Sequence, residues 1–184
     1  MNAGLRLLPP CLELLPAYAE ALKRGWSPDT ARDVSGEQLA RLKRDGPPEF
    51  LRELCDSGRP VTTRDGRAAP RLPGLVLWIV DDAFCGTINL RFQLDGEDLP
   101  PHVSGHVGYA IVPWKQGAGR ATRALAMLLP LARAAGLARV MVTCDAGNLA
   151  SQRVIEKNGG ERIDDAPPLR RGDPVKRRWW VATG

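Results

Sequence analysis

The run Gln116-Gly117-Ala118-Gly119-Arg120-Ala121 stands between a short apolar stretch and the longest helical pattern in the chain. No other feature of the sequence limits the fold as much. Residues 106–112 read as a strand, and residues 119–135 read as an Ala- and Leu-rich helix with Gly136 as its stop. Residues 140–144 are the next strand. A strand, a helix and a strand in that order call for parallel strands joined by a crossover. Gly117 and Gly119 let the backbone turn sharply and approach a ligand closely. The first turn of a helix leaves its N–H groups unpaired and carries roughly half a positive charge. Together these features form a site suited to a phosphate or pyrophosphate.

Three phosphate-binding loops and one plain alternative compete for this stretch. A Walker-type loop needs a Lys-Ser/Thr pair, and none follows Gly119. A dinucleotide fingerprint fits in part: its sixth position is Thr122 rather than Gly, and Asp145 ends the next strand. That fingerprint normally follows a first strand, whereas this unit comes late in the chain. A coenzyme A pyrophosphate loop is the third reading. A Gly-rich turn that merely starts a helix is the plain one.

The flanking sequence supplies the remaining elements. Residues 5–8 read as a strand and 12–23 as a helix with Leu12, Leu15, Ala19 and Leu22 on one face. Ser35 and Gln38 have the form of a capping box ahead of a second helix, and Gly46-Pro47-Pro48 separates it from a third through Phe50, Leu51 and Leu54. Residues 57–73 read as loop. Residues 75–80 and 85–94 form a hairpin about Asp81-Asp82, and a longer loop spans 95–105. Pro130 predicts a kink in the long helix. A short helix over 150–157 ends at Asn158-Gly159-Gly160, and strands near 162–163 and 175–182 close the chain. The expected fold is α/β: a mixed, mostly antiparallel twisted sheet with one parallel strand–helix–strand unit and helices on both faces.

At 184 residues the chain is sized for a single domain, residues 1–184. Its 26 cations against 21 anions leave a net charge of +5, too modest to require a nucleic-acid partner. Cys11, Cys55, Cys85 and Cys144 have no metal-ligand spacing and make no disulfide framework, so no metal is expected and reduced, cytoplasmic thiols are. No apolar run approaches the ~18 residues of a membrane span. Pro9, Pro10, Glu13 and Pro16 spoil residues 1–15 as a signal peptide.

Residues 105–160 resemble the GNAT superfamily of N-acetyltransferases. The Q/R-x-x-G-x-G/A motif of that family is matched by Gln116 through Ala121, and the strand His106-Val107-Gly108-Tyr109-Ala110-Ile111-Val112 resembles its splayed fourth strand. Asn148 through Gly160 resembles the N-x-x-S-x-x-V-x-E-K-x-G segment of the ribosomal-protein acetyltransferase branch. The resemblance implies acetyl-CoA as co-substrate and acetyl transfer to a primary amine of a small molecule or peptide, by direct attack in a ternary complex. It implies that the backbone near Ile111 and Val112 pairs with pantetheine. The N–H groups of Gln116, Gly117, Ala118, Gly119, Arg120 and Ala121 would hold the pyrophosphate. Asn148 and Ser151 would lie along the pantetheine and near the thiol.

Two positions depart from the family pattern. Ile155 stands where many members carry a Tyr that protonates the leaving thiolate, which leaves Ser151 as the candidate donor. His106 stands where many carry a Glu, and an imidazole can serve as base. By the same resemblance, residues 75–160 form the cofactor core, while the helices of 1–74 and the strands of 161–184 shape the acceptor site. The acidic turns Asp81-Asp82 and Asp95–Asp98 are candidates to attract a cationic amine, or are acidic for ordinary reasons of solubility. Trp179 and Trp180 alternate across a strand, one inward and one free to line the acceptor site. Arg170, Arg171, Lys176, Arg177 and Arg178 form the densest basic cluster and read as a solvated loop and strand edge. Acetyl-CoA and an amine are the expected partners, with no membrane and the chain a monomer or homodimer. A non-catalytic CoA-binding or nucleic-acid-associated module on the same fold is the alternative.

Overall fold

A computed structural model describes residues 4–56, 58, 60–62, 67–94, 96–100, 103–166 and 174–184. Nine strands and five helices follow in chain order among these residues: β1 (Arg6–Leu8), α1 (Leu15–Lys23), α2 (Ser35–Asp45), α3 (Pro47–Cys55), β2 (Val61–Thr62), β3 (Ala68–Ala69), β4 (Gly74–Val80), β5 (Phe84–Arg91), β6 (Val107–Ile111), α4 (Arg120–Ala134), β7 (Arg139–Asp145), α5 (Leu149–Glu156), β8 (Glu161–Ala166) and β9 (Lys176–Ala182). Seven strands form one sheet in the order β1-β4-β5-β6-β7-β9-β8, and every neighbouring pair is antiparallel except β6 and β7. The expected mixed sheet with one parallel unit is the observed one. Residues 57–73, expected as loop, include the small hairpin β2–β3.

Strand alternation sends alternate side chains to two separate cores. Leu77 and Ile79 of β4, Ile88 and Leu90 of β5, and Val140 and Val142 of β7 pack on one face. There they meet Ala124, Leu125, Leu128 and Ala132, one stripe of α4 at helical spacing. Trp78, Val80, Phe84, Ala110 and Val112 leave the other face and pack against α1 and α3. Tyr18 of α1 stacks on Trp78 with centroids 4.9 Å apart and meets Phe84 edge-on at 5.5 Å.

One local expectation yields to tertiary contacts. The capping box at Ser35 and Gln38 does not form. Asp33 Oδ1 accepts the Ser35 N–H at 2.8 Å instead, and Gln38 accepts a hydrogen bond from the buried Tyr18 hydroxyl. The long helix α4 runs on both sides of Pro130, which is exposed. Trp179 is buried against α4's face of the sheet and Trp180 lies on the opposite one. Leu128 is fully buried at the centre of the α4 contact. Leu128→Ala is expected to lower stability by about 2–5 kcal/mol in urea unfolding, because it removes packing and leaves a cavity.

Candidate functional site

The sheet parts in its middle, and the parting makes the site. β6 and β7 share one ladder pair, Val107 with Val142, and the chain just before it is held by the His106 N–H on the Met141 carbonyl at 2.8 Å. Beyond that point the two strands are not paired. Arg91 N–H donates to His106 O and Val112 N–H donates to Cys85 O, both at 2.9 Å, so the even-numbered residues of this stretch are bonded to β5. Antiparallel alternation then turns the N–H groups of Tyr109 and Ile111 toward the gap. Val112 has no such group left: its carbonyl accepts the Lys115 N–H at 2.9 Å. The open ladder edge expected at Ile111 and Val112 therefore falls on Tyr109 and Ile111.

A single 3-10 turn, Pro113–Lys115, leads from β6 to the glycine loop. Gly117 and Gly119 take φ of 81° and 70°, a region that side-chain-bearing residues avoid. Gln116 Nε2 reaches back to the Ile111 carbonyl at 3.0 Å and fixes the loop on the strand. The first closed backbone bond of α4 runs from Arg123 N–H to Gly119 O at 3.0 Å. Among the described residues the N–H groups of Gly117, Ala118, Gly119, Arg120 and Ala121 have no partner ahead of it. These unpaired donors at a helix start suit a pyrophosphate.

Asp81 holds this loop from the side. Its carboxylate takes Lys115 Nζ at 2.9 Å and Arg120 Nε at 2.7 Å, and Arg120 Nη1 also reaches the Lys115 carbonyl at 2.9 Å. Burial pushes the Asp81 carboxyl up, yet its hydrogen bonds, those of both cations among them, hold it well below the usual carboxylate range. Asp82 binds Lys115 as well, at 2.6 Å. The pair expected to attract an amine is thus spent on anchoring the glycine loop, as is the Arg120 side chain.

Across the gap, α5 starts at Asn148, whose Oδ1 accepts the Ser151 N–H at 3.0 Å. Ser151 Oγ lies 2.6 Å from the Tyr109 hydroxyl, so α5 and β6 meet in one hydroxyl pair. Burial pushes the Tyr109 phenol up to about 12, with the Ser151 hydrogen bond acting the other way. Tyr109 was not among the sequence candidates. Its odd-numbered place on β6, two residues before Ile111, is the signal that puts it at the gap. Ile155 lies fully buried in the α4-side core and offers no proton. Burial pushes the Cys144 thiol up, which disfavours a thiolate nucleophile there.

His106 lies elsewhere than expected. It is fully buried, its Nδ1 accepts the Met141 N–H at 2.9 Å, and it does not line the cleft. The imidazole replaces a ladder acceptor where the two parallel strands join, so the role of base is withdrawn from it. Lys176 pairs with Asp145, Arg178 with Asp164, and Arg177 Nη1 with Gln152 at 2.7 Å, so this part of the basic cluster is spent on cross-strand pairing. Arg170 and Arg171 lie outside the described residues.

Gap, loop and acceptor face open into one cleft of about 1740 Å³ that includes Tyr109, Ile111, Gln116, Gly117, Gly119, Asn148, Ser151 and Trp180. That exceeds the roughly 300–1,000 Å³ of a single small-molecule site and leaves room for two substrates. Among the described residues no group of His, Cys, Asp and Glu is arranged to hold a metal, and no helix is long and apolar enough to cross a membrane.

A sequence model described as an acetyltransferase (GNAT) domain matches residues 40–161. No curated protein matches the chain in sequence. A crystal structure of a probable acetyltransferase superposes with a TM-score of 0.63 at 18% identity, covering 99% of this chain and 97% of that one. Mycobacterium smegmatis RimJ in complex with CoA-disulfide gives 0.64 at 20% identity, covering 99% and 87%. The microcin C7 self-immunity acetyltransferase MccE in complex with acetyl-CoA and AMP gives 0.59 at 12% identity, covering 97% and 92%. Identities this low speak for the fold.

Burial holds the His106 pKa below its ordinary value, so the unfolded chain takes up the proton first. The associated stability is complete above about pH 6.5 and declines as the pH falls below it. His106→Ala is expected to cost about 1–3 kcal/mol at pH 7.5, since it orphans the Met141 N–H. It should also flatten the decline between pH 7 and 5, as read by denaturant unfolding across that range.

Proposed function

Because the chain belongs to the GNAT acetyltransferases, we propose that it is an acetyl-CoA-dependent N-acetyltransferase acting on a primary amine of a small molecule or peptide. The observation that carries this reading is the unpaired β6 edge running straight into the unpaired N–H groups of the glycine loop. An extended amide-bearing arm ending in a pyrophosphate has the donors and acceptors for both. Tyr109 and Ile111 would pair with the arm as an added strand, the loop from Gly117 to Ala121 would hold the phosphates, and Asn148 would flank the arm. Bound acetyl-CoA supplies the thioester whose acetyl group is transferred.

The residues at the gap have distinct tasks in this scheme. The N–H of Ile111 or Tyr109 donates where negative charge develops on the carbonyl oxygen. Ser151 gives a proton to the leaving thiolate as it recovers one from Tyr109, and the Tyr109 phenol, with its raised pKa, is restored by the proton that the amine releases to cleft water. With His106 buried, the amine loses its proton to water in the open cleft. The rate then follows the acceptor's own ionisation and shows no inflection in the histidine range. Cys144 carries no acetyl group, and attack is direct within a ternary complex.

Thermal shift and thiol release test this reading. Acetyl-CoA at 100 times its dissociation constant should stabilise the protein by ~2.7 kcal/mol. Absence of any shift at millimolar acetyl-CoA would remove the proposal. Gly119→Glu, which adds a side chain at positive φ and a negative charge to the loop, should abolish that shift. Ser151→Ala should lower kcat about 10- to 100-fold while leaving KM for acetyl-CoA nearly unchanged, and Tyr109→Phe should lower kcat less. Intersecting initial-rate lines are expected, and parallel lines would exclude the ternary complex.

A further inference from the structure

The sheet face turned away from α4 presents a wall of hydrogen-bond donors along the acceptor side of the cleft. Thr87, Asn89 and Arg91 occupy every second position of β5, so their side chains leave one face. Register places Trp78 of β4 beside Thr87, and Gly108 of β6 beside Asn89. Gly108 has no side chain, and a Cβ there would stand 3.1 Å from both Arg91 Nη2 and Asn89 Oδ1. The guanidinium and the carboxamide therefore converge above Gly108. All five residues line the cleft.

Several of these donors are not spent within the protein. Arg91 Nε donates to the Gly105 carbonyl at 2.8 Å, and among the described residues no carboxylate forms an ion pair with this guanidinium. Asp29, in the connection between α1 and α2, is the carboxylate whose charge reaches Arg91, but its Oδ1 takes the Ala31 N–H at 2.7 Å. Arg71 also lines the cleft, yet its guanidinium is spent on the carbonyls of Glu53, Leu54 and Asp56 at the end of α3. Burial pushes the Arg91 pKa below its ordinary value, and the Asp29 charge offsets this only in part. Thr87 Oγ1 and Trp78 Nε1 are both buried with no hydrogen-bond partner, their residues 4% and 0% exposed. An indole N–H can only donate. Buried donors left unpaired cost free energy, and a ligand that brings acceptors recovers it.

We propose that Arg91 is the residue that determines acceptor specificity, receiving a carboxylate or phosphate on the amine substrate. A guanidinium presents a planar fork of donors that matches either oxyanion. Asn89 adds an amide donor beside it, and Thr87 and Trp78 extend the donor surface toward the gap. Tyr109 pairs with Ile88, three residues from Arg91 along β5. That separation is ~10 Å, which the arginine side chain and an acceptor up to dipeptide size span together. The enzyme thus selects amines that carry an anionic group, the opposite of the preference read from its acidic turns.

This inference rests on the acetyl-transfer reading above, and the test separates the two. Thiol release is measured with acceptor pairs matched except for the oxyanion: glycylglycine against glycylglycinamide, and 2-aminoethyl phosphate against ethanolamine. The anionic member of at least one pair should exceed its neutral partner at least tenfold in kcat/KM, and the pair that does so tells carboxylate from phosphate. Arg91→Gln should remove that preference by raising KM for the anionic member alone, and Arg91→Lys should keep part of it. An unchanged thermal shift with acetyl-CoA shows that the variants fold. The same pairs are titrated calorimetrically into CoA-saturated protein. Arg91-dependent binding of the anionic member without turnover of any amine would keep the anion site and remove the acetyl-transfer reading. Equal treatment of both members in rate and binding, or equal loss of both in Arg91→Gln, would overturn the inference.

Discussion

One ladder pair and one histidine hold β6 to β7, and the site exists because nothing more does. Val107 and Val142 are paired, His106 supplies its N–H and its Nδ1 to Met141, and from there the strands separate. A sheet that parts in its interior leaves polar backbone groups without partners, a cost that native folds avoid unless something else satisfies them. Both outer neighbours are fully registered: β5 runs with β6 through five residues and β7 with β9 through seven. The gap is therefore braced on both sides by continuous antiparallel ladders, and α4 spans it from one face. A buried imidazole at the point of divergence fits that need. It fills the seam and accepts a backbone N–H while staying neutral.

The two faces of the sheet divide the remaining labour. The α4 face is apolar from β4 to β9, and it gives the loop at the start of that helix a rigid base. The α1 face begins as an aromatic cluster around Tyr18, Trp78 and Phe84 and turns polar along β5, where Thr87, Asn89 and Arg91 replace apolar side chains. Such a change within one strand is hard to justify by stability alone, since the buried Thr87 hydroxyl on it and the Trp78 indole beside it on β4 have no hydrogen-bond partner. It is the expected composition of a surface completed by a substrate.

What could be read from the sequence, and what could not, follows from the range of each interaction. The glycine loop, the helix after it and the strand before it are local, so Gln116 through Ala121 fixed the expected fold and its anion site. The second half of the site depends on strand parity. Whether Val112 or Tyr109 faces the gap is decided by which residues bond to β5, and a register shift of one residue reverses the answer. His106 stands at the first position of an expected strand, where a sequence cannot separate a cleft residue from one turned into a seam. Gln38 left its capping box because Tyr18, twenty residues earlier, brings a buried hydroxyl to it. Arg91 had no signal at all among so many surface arginines, and what sets it apart is that among the described residues no carboxylate forms an ion pair with it.

Asp81 and Asp82 balance Lys115 and Arg120, so the two cations that flank the glycine loop are both paired. The loop draws an anion through oriented backbone dipoles at contact distance, which act only over the first turn of the helix. Mobile ions screen over a Debye length of about 8 Å at physiological strength, too far to weaken groups already touching. A loop lined by free lysines would loosen its hold on a nucleotide as salt rises. On the acetyl-CoA reading, the hold of this loop on a pyrophosphate rests on backbone N–H groups rather than on free cations, so it should fall less steeply with salt than that of a lysine-lined loop.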